Sequence, residues 1–191
     1  MDNFLSLSNG NKMPLMGLGT DDVFFINPPH KGKNIITKKI WSLYNRQIKK
    51  PLLDNEMTNK FVSAIKSGYR LIDSSSSYRN EKSIGCAVKK SGVPRDQMFL
   101  TTRCTNRAQY DGTIREEFMK SLQEFGTNYI DLYMFHWPVT GHFLDTWKVM
   151  EELYEEGLVK NLGFANCHQH HIEDILQQLV HHFHHLQARI V

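Results

Sequence analysis

The chain is poor in cysteine and has no long hydrophobic run. Its three cysteines, Cys86, Cys104 and Cys167, are scattered through 191 residues. An odd, dispersed set implies neither a disulfide framework nor a cysteine-based zinc site. No stretch approaches about 18 consecutive apolar residues, so no membrane-spanning helix is expected. The opening MDNFLSLSNGNK lacks the basic and apolar regions of a secretory signal, which makes the cytoplasm the expected compartment. Charge of one sign is also scarce. The chain has 23 Lys+Arg against 20 Asp+Glu, a net +3, which gives no reason to expect a nucleic acid or a membrane as partner. No metal site is expected either.

Aromatics, by contrast, are plentiful: 11 Phe, 7 Tyr and 3 Trp. A chain with that content collapses rather than staying disordered. Its length suits one domain spanning 1–191 with a sizeable core. Two segments stand apart within it. Residues 21–54 read as an insertion whose 30–50 portion carries seven Lys and Arg and no acid. There Ile36, Ile40, Leu43, Tyr44 and Ile48 recur at helical spacing, and Pro51 is expected to stop the pattern. Residues 179–191 form an atypical, His-rich tail.

The N-terminus reads as a hairpin, with Asn9-Gly10 supplying both φ > 0 positions of a type I′ turn. Leu15 to Gly19 then reads as a first buried strand. From residue 55 a regular alternation begins. Helices are expected over 55–68, 81–91, 113–125, 144–156 and 168–179, with strands at 69–73, 97–102, 129–135 and 159–164. The expected strand ends, Asp73, Arg103, His136 and Asn166, are 30, 33 and 30 residues apart. That is one strand plus one crossover helix per step. Near-continuous apolar strands mean a parallel sheet, either doubly wound or of the (β/α) barrel type.

In a (β/α) barrel the chemistry sits at the C-terminal ends of the strands. Here those ends carry an acid, a guanidinium, an imidazole and an amide, and Tyr78 follows Asp73 by five residues. A phenol serves as a general acid when a nearby cation lowers its pKa from about 10, and a carboxylate can hold that cation. An imidazole beside it can orient a carbonyl oxygen. Each residue also has a plain structural reading. Asp73 and Arg103 would be an ion pair at the mouth, Tyr78 a loop aromatic, His136 a core histidine and Asn166 the cap of the last helix.

Several motifs resemble the aldo-keto reductases. Gly68-Tyr69-Arg70-Leu71-Ile72-Asp73-Ser74-Ser75, with Tyr78, Asn80-Glu81 and Ile84-Gly85, is similar to that family's first signature. Asp131 to Pro138 is similar to its strand-four stretch, and Glu155 to Asn166 to its second signature. The Asn9-Gly10 hairpin, Met13-Pro14 and Gly17-Leu18-Gly19-Thr20 agree as well. The resemblance implies an α/β fold of the (β/α)8 TIM-barrel type, incomplete, with about five βα units behind an N-terminal β-hairpin. It implies reduction of aldehydes and ketones by hydride from NADPH. By the same resemblance Tyr78 is the proton donor, and His136 orients the carbonyl. Asp73 pairs with the cation near the phenol, and Asn166 bonds the nicotinamide carboxamide. Thr20 and Trp137 line the cofactor and substrate pocket.

The match departs from the family in three places. Arg103 stands where the family has Lys, which keeps the charge but moves it onto a bulkier planar group. Ala165 replaces a usual Ser, and Cys167 an aromatic. A full barrel needs roughly 250 residues, so a C-terminal truncation is expected, by frameshift or gene truncation. Its open sheet edges are expected to pair with a second copy, borrow the tail as a sixth strand or aggregate, with poor solubility and weak or absent NADPH binding. A non-catalytic remnant or binding protein is the alternative, and a phosphate-handling barrel of another class a third. Gly17-Leu18-Gly19 is not a dinucleotide fingerprint, since no third Gly opens a helix at the required spacing. His181 and His185 fall at i, i+4 without an acid or thiol in the tail, and basic segment 30–50 reads as a solvated insertion.

Overall fold

The Asn9-Gly10 pair does reverse the chain, but by a different turn from the one its sequence predicts. The structure, a computed structural model, describes residues 3–21 and 50–177. Strands β1 (Phe4–Ser6) and β2 (Lys12–Pro14) pair antiparallel, with Leu5 opposite Met13. Between them Gly10 N–H donates to Leu7 O at 2.9 Å and Leu7 N–H to Asn11 O at 2.8 Å. Gly10 takes φ +83, but Asn9 is not left-handed, and its Oδ1 instead accepts Asn11 N–H at 3.1 Å. A type I′ turn needs both residues left-handed. This connection needs only the glycine, as three-residue hairpin loops do.

The described chain forms two compact units. The first comprises the described residues up to Ser74 with Tyr78–Phe99 and Glu124–Thr127, and the second comprises Ser75–Ser77, Leu100–Gln123 and the described residues from Asn128 onward.

In the first unit β3 (Gly17–Gly19) runs parallel to β4 (Leu71–Asp73), with Gly19 opposite Asp73. The expected strand Leu15 to Gly19 is shorter than its apolar run suggests, since Leu15 and Met16 are exposed. Pairing starts only at Gly17, where a Cβ would lie 2.2 Å from Leu71 Cδ2. Glycine here permits the close approach of the two strands. Helix α1 (Lys50–Lys66) starts ahead of the expected 55, and Pro51 lies in its first turn, where the missing N–H has no intrahelical partner to lose. The expected helix within 30–50 and the tail 179–191 lie outside the described residues. Helix α2 (Glu81–Ser91) agrees with its predicted bounds and ends at left-handed Gly92, φ 77. Phe61 and Ile65 of α1, Ile72 of β4, and Ile84 and Ala87 of α2 are buried core residues. Gly85 has no room for a side chain, because a Cβ there would lie 2.2 Å from Phe125 O.

In the second unit β5 (Phe99–Cys104), β6 (Leu132–Phe135) and β7 (Leu162–Phe164) lie parallel. The register places Arg103 opposite Met134, and Phe135 opposite Phe164. Asp131 starts the β5–β6 ladder with its side chain, its Oδ2 accepting Leu100 N–H at 2.8 Å. The crossovers are α3 (Asn106–Asp111), α4 (Ile114–Phe125) and α5 (Phe143–Glu155). A further helix covers 169–177. Helix α3 was not anticipated. Its signals were legible, though: Thr105 caps it by accepting Ala108 N–H at 3.0 Å, and Gly112 closes it at φ 70. Tyr133, Phe135, Met150 and Leu153 are buried in this unit, and Phe118 meets Tyr133 edge-on at 4.7 Å.

Candidate active site

The polar residues expected at strand ends do sit there. Asp73 is the last residue of β4, Arg103 the penultimate residue of β5, and His136 the first after β6, while Asn166 lies two beyond β7. Tyr78 closes a single 3₁₀ turn, Ser76–Tyr78, between β4 and α2. The residue after it, Arg79, has φ 56. Left-handed backbone costs a residue with a Cβ about 1 kcal/mol or more, and such strain concentrates at functional sites.

In the first unit a buried network ties these ends together. Thr20 N–H and its hydroxyl both donate to Asp73 O, at 3.1 and 2.8 Å. Asn80 Nδ2 donates to Thr20 O at 3.1 Å, and Ser74 Oγ donates to Asn80 Oδ1 at 2.6 Å. Thr20, Ser74 and Asn80 are 2%, 0% and 3% exposed. Asn80 holds the N-cap position of α2, yet its side chain makes no capping bond. It serves the ends of β3 and β4 instead. Thr20, read as a lining residue, has its hydroxyl committed to the Asp73 carbonyl.

In the second unit His136 is held at several points. Its ring Nδ1 lies 3.2 Å from Ser75 Oγ. Its carbonyl accepts Asn166 Nδ2 at 2.7 Å. Asn166 adopts φ 57, a conformation that Asn tolerates better than most residues. The next carbonyl, of Trp137, accepts Gln109 Nε2 at 2.8 Å, and Gln109 Oε1 accepts Val139 N–H at 3.4 Å. Gln109 is 2% exposed and projects from α3, so the unanticipated helix positions the loop after β6. The signal that would have found it is a polar residue beside Ala108 on the buried face of a capped turn.

Asn166 does not cap the last helix, which begins only at 169. Its side chain is exposed, and its Oδ1 makes no hydrogen bond among the described residues. Trp137 is 52% exposed. Cys104, beside Arg103, is fully buried, and burial first, then the Glu117 carboxylate, pushes its thiol well above the ordinary range. It stays protonated and is no nucleophile. Among the described residues no cluster of three or more His, Cys, Asp or Glu is arranged to hold a metal ion. Nor is any described helix long and apolar enough to cross a membrane.

Parallel strands joined by helices, with polar residues at their carboxyl ends, define an α/β protein of the (β/α) barrel type. No closed barrel forms among the described residues. The profile of the aldo/keto reductase family matches residues 41–190, and the chain belongs to that family. It is 40% identical over 123 residues to the glyoxal reductase of Bacillus subtilis, covering 64% of this chain and 45% of that protein. It is 32% identical over 176 residues to a methylglyoxal reductase of Escherichia coli, covering 91% and 53%. A crystal structure of an aldo/keto reductase from Brucella melitensis superposes with a TM-score of 0.71 at 30% identity, covering 92% of this chain and 58% of that one. The chain thus spans about half the length of the curated relatives it matches.

Proposed function

We propose that this chain carries the carbonyl-reducing residues of an NADPH-dependent reductase whose substrates are small aldehydes and ketones, with α-oxoaldehydes foremost. Family membership and the names of the two relatives support carbonyl reduction as the chemistry. A nicotinamide cofactor, when bound, would supply the hydride. The residues present suit its carboxamide. Asn166 is pinned through Nδ2 to the His136 carbonyl, which leaves an exposed amide oxygen to accept a carboxamide N–H.

The observation that carries the reading is the fixing of His136 at the end of β6, its ring by Ser75 and its carbonyl by Asn166, with the next carbonyl, of Trp137, held by Gln109. An imidazole fixed in direction costs little reorganisation when it donates to an oxygen on which negative charge develops. In this reading His136 orients the carbonyl oxygen and Tyr78 delivers the proton. Arg103 supplies the cation that favours proton release by the phenol, and Asp73 holds that cation. Trp137 offers an apolar face to the substrate, and Thr20 fixes the strand end beside Asp73. Arg103 differs from the lysine of the family pattern, and an Arg fork places its charge less compactly. Arg103→Lys is therefore expected to raise turnover.

The test is consumption of NADPH by the purified chain with methylglyoxal or glyoxal. Turnover is expected, and Tyr78→Phe is expected to lower it by about 10²- to 10⁴-fold, the usual contribution of a general acid. Absence of carbonyl-dependent oxidation, or a Tyr78→Phe variant as fast as the parent, would remove the reading.

A further inference from the structure

We propose that Ser75 is a positioning residue that keeps the ring proton of neutral His136 on Nε2. The inference rests on the carbonyl-orienting role proposed for His136 and adds the group that gives the ring its donor.

Ser75 is fully buried. Its hydroxyl lies 3.2 Å from His136 Nδ1 and 3.3 Å from Arg103 O, and it accepts Ser77 N–H at 3.2 Å. A serine hydroxyl has one proton and two lone pairs. Ser77 N–H takes one lone pair, so the single proton must choose between two acceptors. Given to Nδ1, it makes that nitrogen an acceptor and leaves the neutral ring protonated at Nε2. Given to the Arg103 carbonyl, it requires Nδ1 to carry the ring proton, and Nε2 becomes an acceptor. Only the first arrangement offers a donor to a substrate carbonyl oxygen.

Two arguments favour the first arrangement. An imidazole nitrogen is a much stronger base than an amide oxygen, and the two lie about equally near the hydroxyl, at 3.2 and 3.3 Å. The main chain is also held, at His136 O by Asn166 and at Trp137 O by Gln109, so the ring is kept against Ser75. The partner of one ring nitrogen sets the role of the other.

The test uses the full chain with ¹⁵N-labelled histidine, in two-bond ¹H–¹⁵N spectra recorded above the pH at which the ring protonates. His136→Gln assigns the signal. The wild-type ring is expected as the Nε2–H tautomer. Ser75→Ala is expected to move it toward a mixture of tautomers and to lower kcat for carbonyl reduction about tenfold, roughly one hydrogen bond's contribution. Ser75→Thr, which keeps the hydroxyl, is expected to restore both. A wild-type ring protonated at Nδ1 overturns the proposal, and that spectrum decides the matter even if Ser75→Ala does not fold. An unchanged tautomer in Ser75→Ala overturns it too. A tautomer that shifts as expected in a chain that reduces no carbonyl supports the role of Ser75 and removes the functional reading. Turnover in the wild type, with tautomer and rate indifferent to Ser75, does the reverse.

Discussion

The two units secure their strand ends in opposite ways. In the first, Thr20, Ser74 and Asn80 are almost wholly buried, and the hydroxyls and the amide bond one another or main-chain carbonyls. In the second, buried Ser75 holds the His136 ring and buried Gln109 the Trp137 carbonyl, while exposed Asn166 bonds the His136 carbonyl, and His136, Trp137 and Asn166 all remain partly open to solvent. The first arrangement is scaffolding, because a buried polar group is costly to leave unmatched. The second leaves the Asn166 amide oxygen at the surface, where water tolerates it and a ligand can replace the water. Substitutions in the first unit should therefore reach stability most strongly, and those in the second should reach ligand handling more than stability.

The sharpest way to break this contrast lies in the first unit. Gly85→Ala places a Cβ 2.2 Å from the Phe125 carbonyl oxygen, a main-chain atom that no rotamer change can move aside. A loss of about 3 kcal/mol, the upper part of the usual overpacking range, is expected in chemical denaturation. A variant as stable as the parent would show that α2 shifts freely, and the scaffold reading would fail. Asn80→Ala should come next. It removes the buried hydrogen bonds that Asn80 makes to the Ser74 hydroxyl and the Thr20 carbonyl, at an expected cost of about 2 kcal/mol.

Gln109→Ala probes the other side. It removes two hydrogen bonds from the loop after β6, an expected loss of about 1 kcal/mol. If the contrast holds, KM for a carbonyl substrate rises in this variant, while Asn80→Ala leaves KM nearly unchanged in whatever fraction stays folded. Equal effects on KM from both would erase the distinction.

The alternation of strands and helices was legible because each crossover helix ends in a glycine or proline signal and each strand is a short apolar run. The 30-, 33- and 30-residue spacing of polar strand ends marks the candidate residues in the sequence itself. What remained hidden depended on contacts distant in sequence. Nothing local shows that Asn80 forgoes its cap to bond Thr20, or that Gln109 bonds the main chain of Trp137 and Val139. Leu15 and Met16 misled because apolar character was read as burial, when the close approach of Gly17 to Leu71 decides where pairing begins. Asn9 misled in the same manner, since an Asn-Gly pair permits two left-handed residues without requiring them.

The smallest expected effect concerns His171, at the start of the helix over 169–177. Its Nδ1 accepts His168 N–H at 3.1 Å, and its ring meets Phe143 edge-on at 5.5 Å. Partial desolvation, followed by repulsion from His170 and His168, holds its pKa below the ordinary 6.5, while Asp174 opposes the shift. The sign follows from linkage. Below about pH 6.5 the unfolded chain binds a proton that the folded chain accepts only at lower pH. Stability is therefore complete above that point, declines as pH falls toward the folded pKa, and then levels off. His171→Gln should flatten this part of the profile, so the difference in Tm between variant and parent should be smaller at about pH 5 than at about pH 7.5. The effect should be slight, because the group is solvent-screened. A gap that widens on acidification would mean that the proton stabilises the helix. Asp174 rather than the neighbouring imidazoles would then dominate the field at this ring.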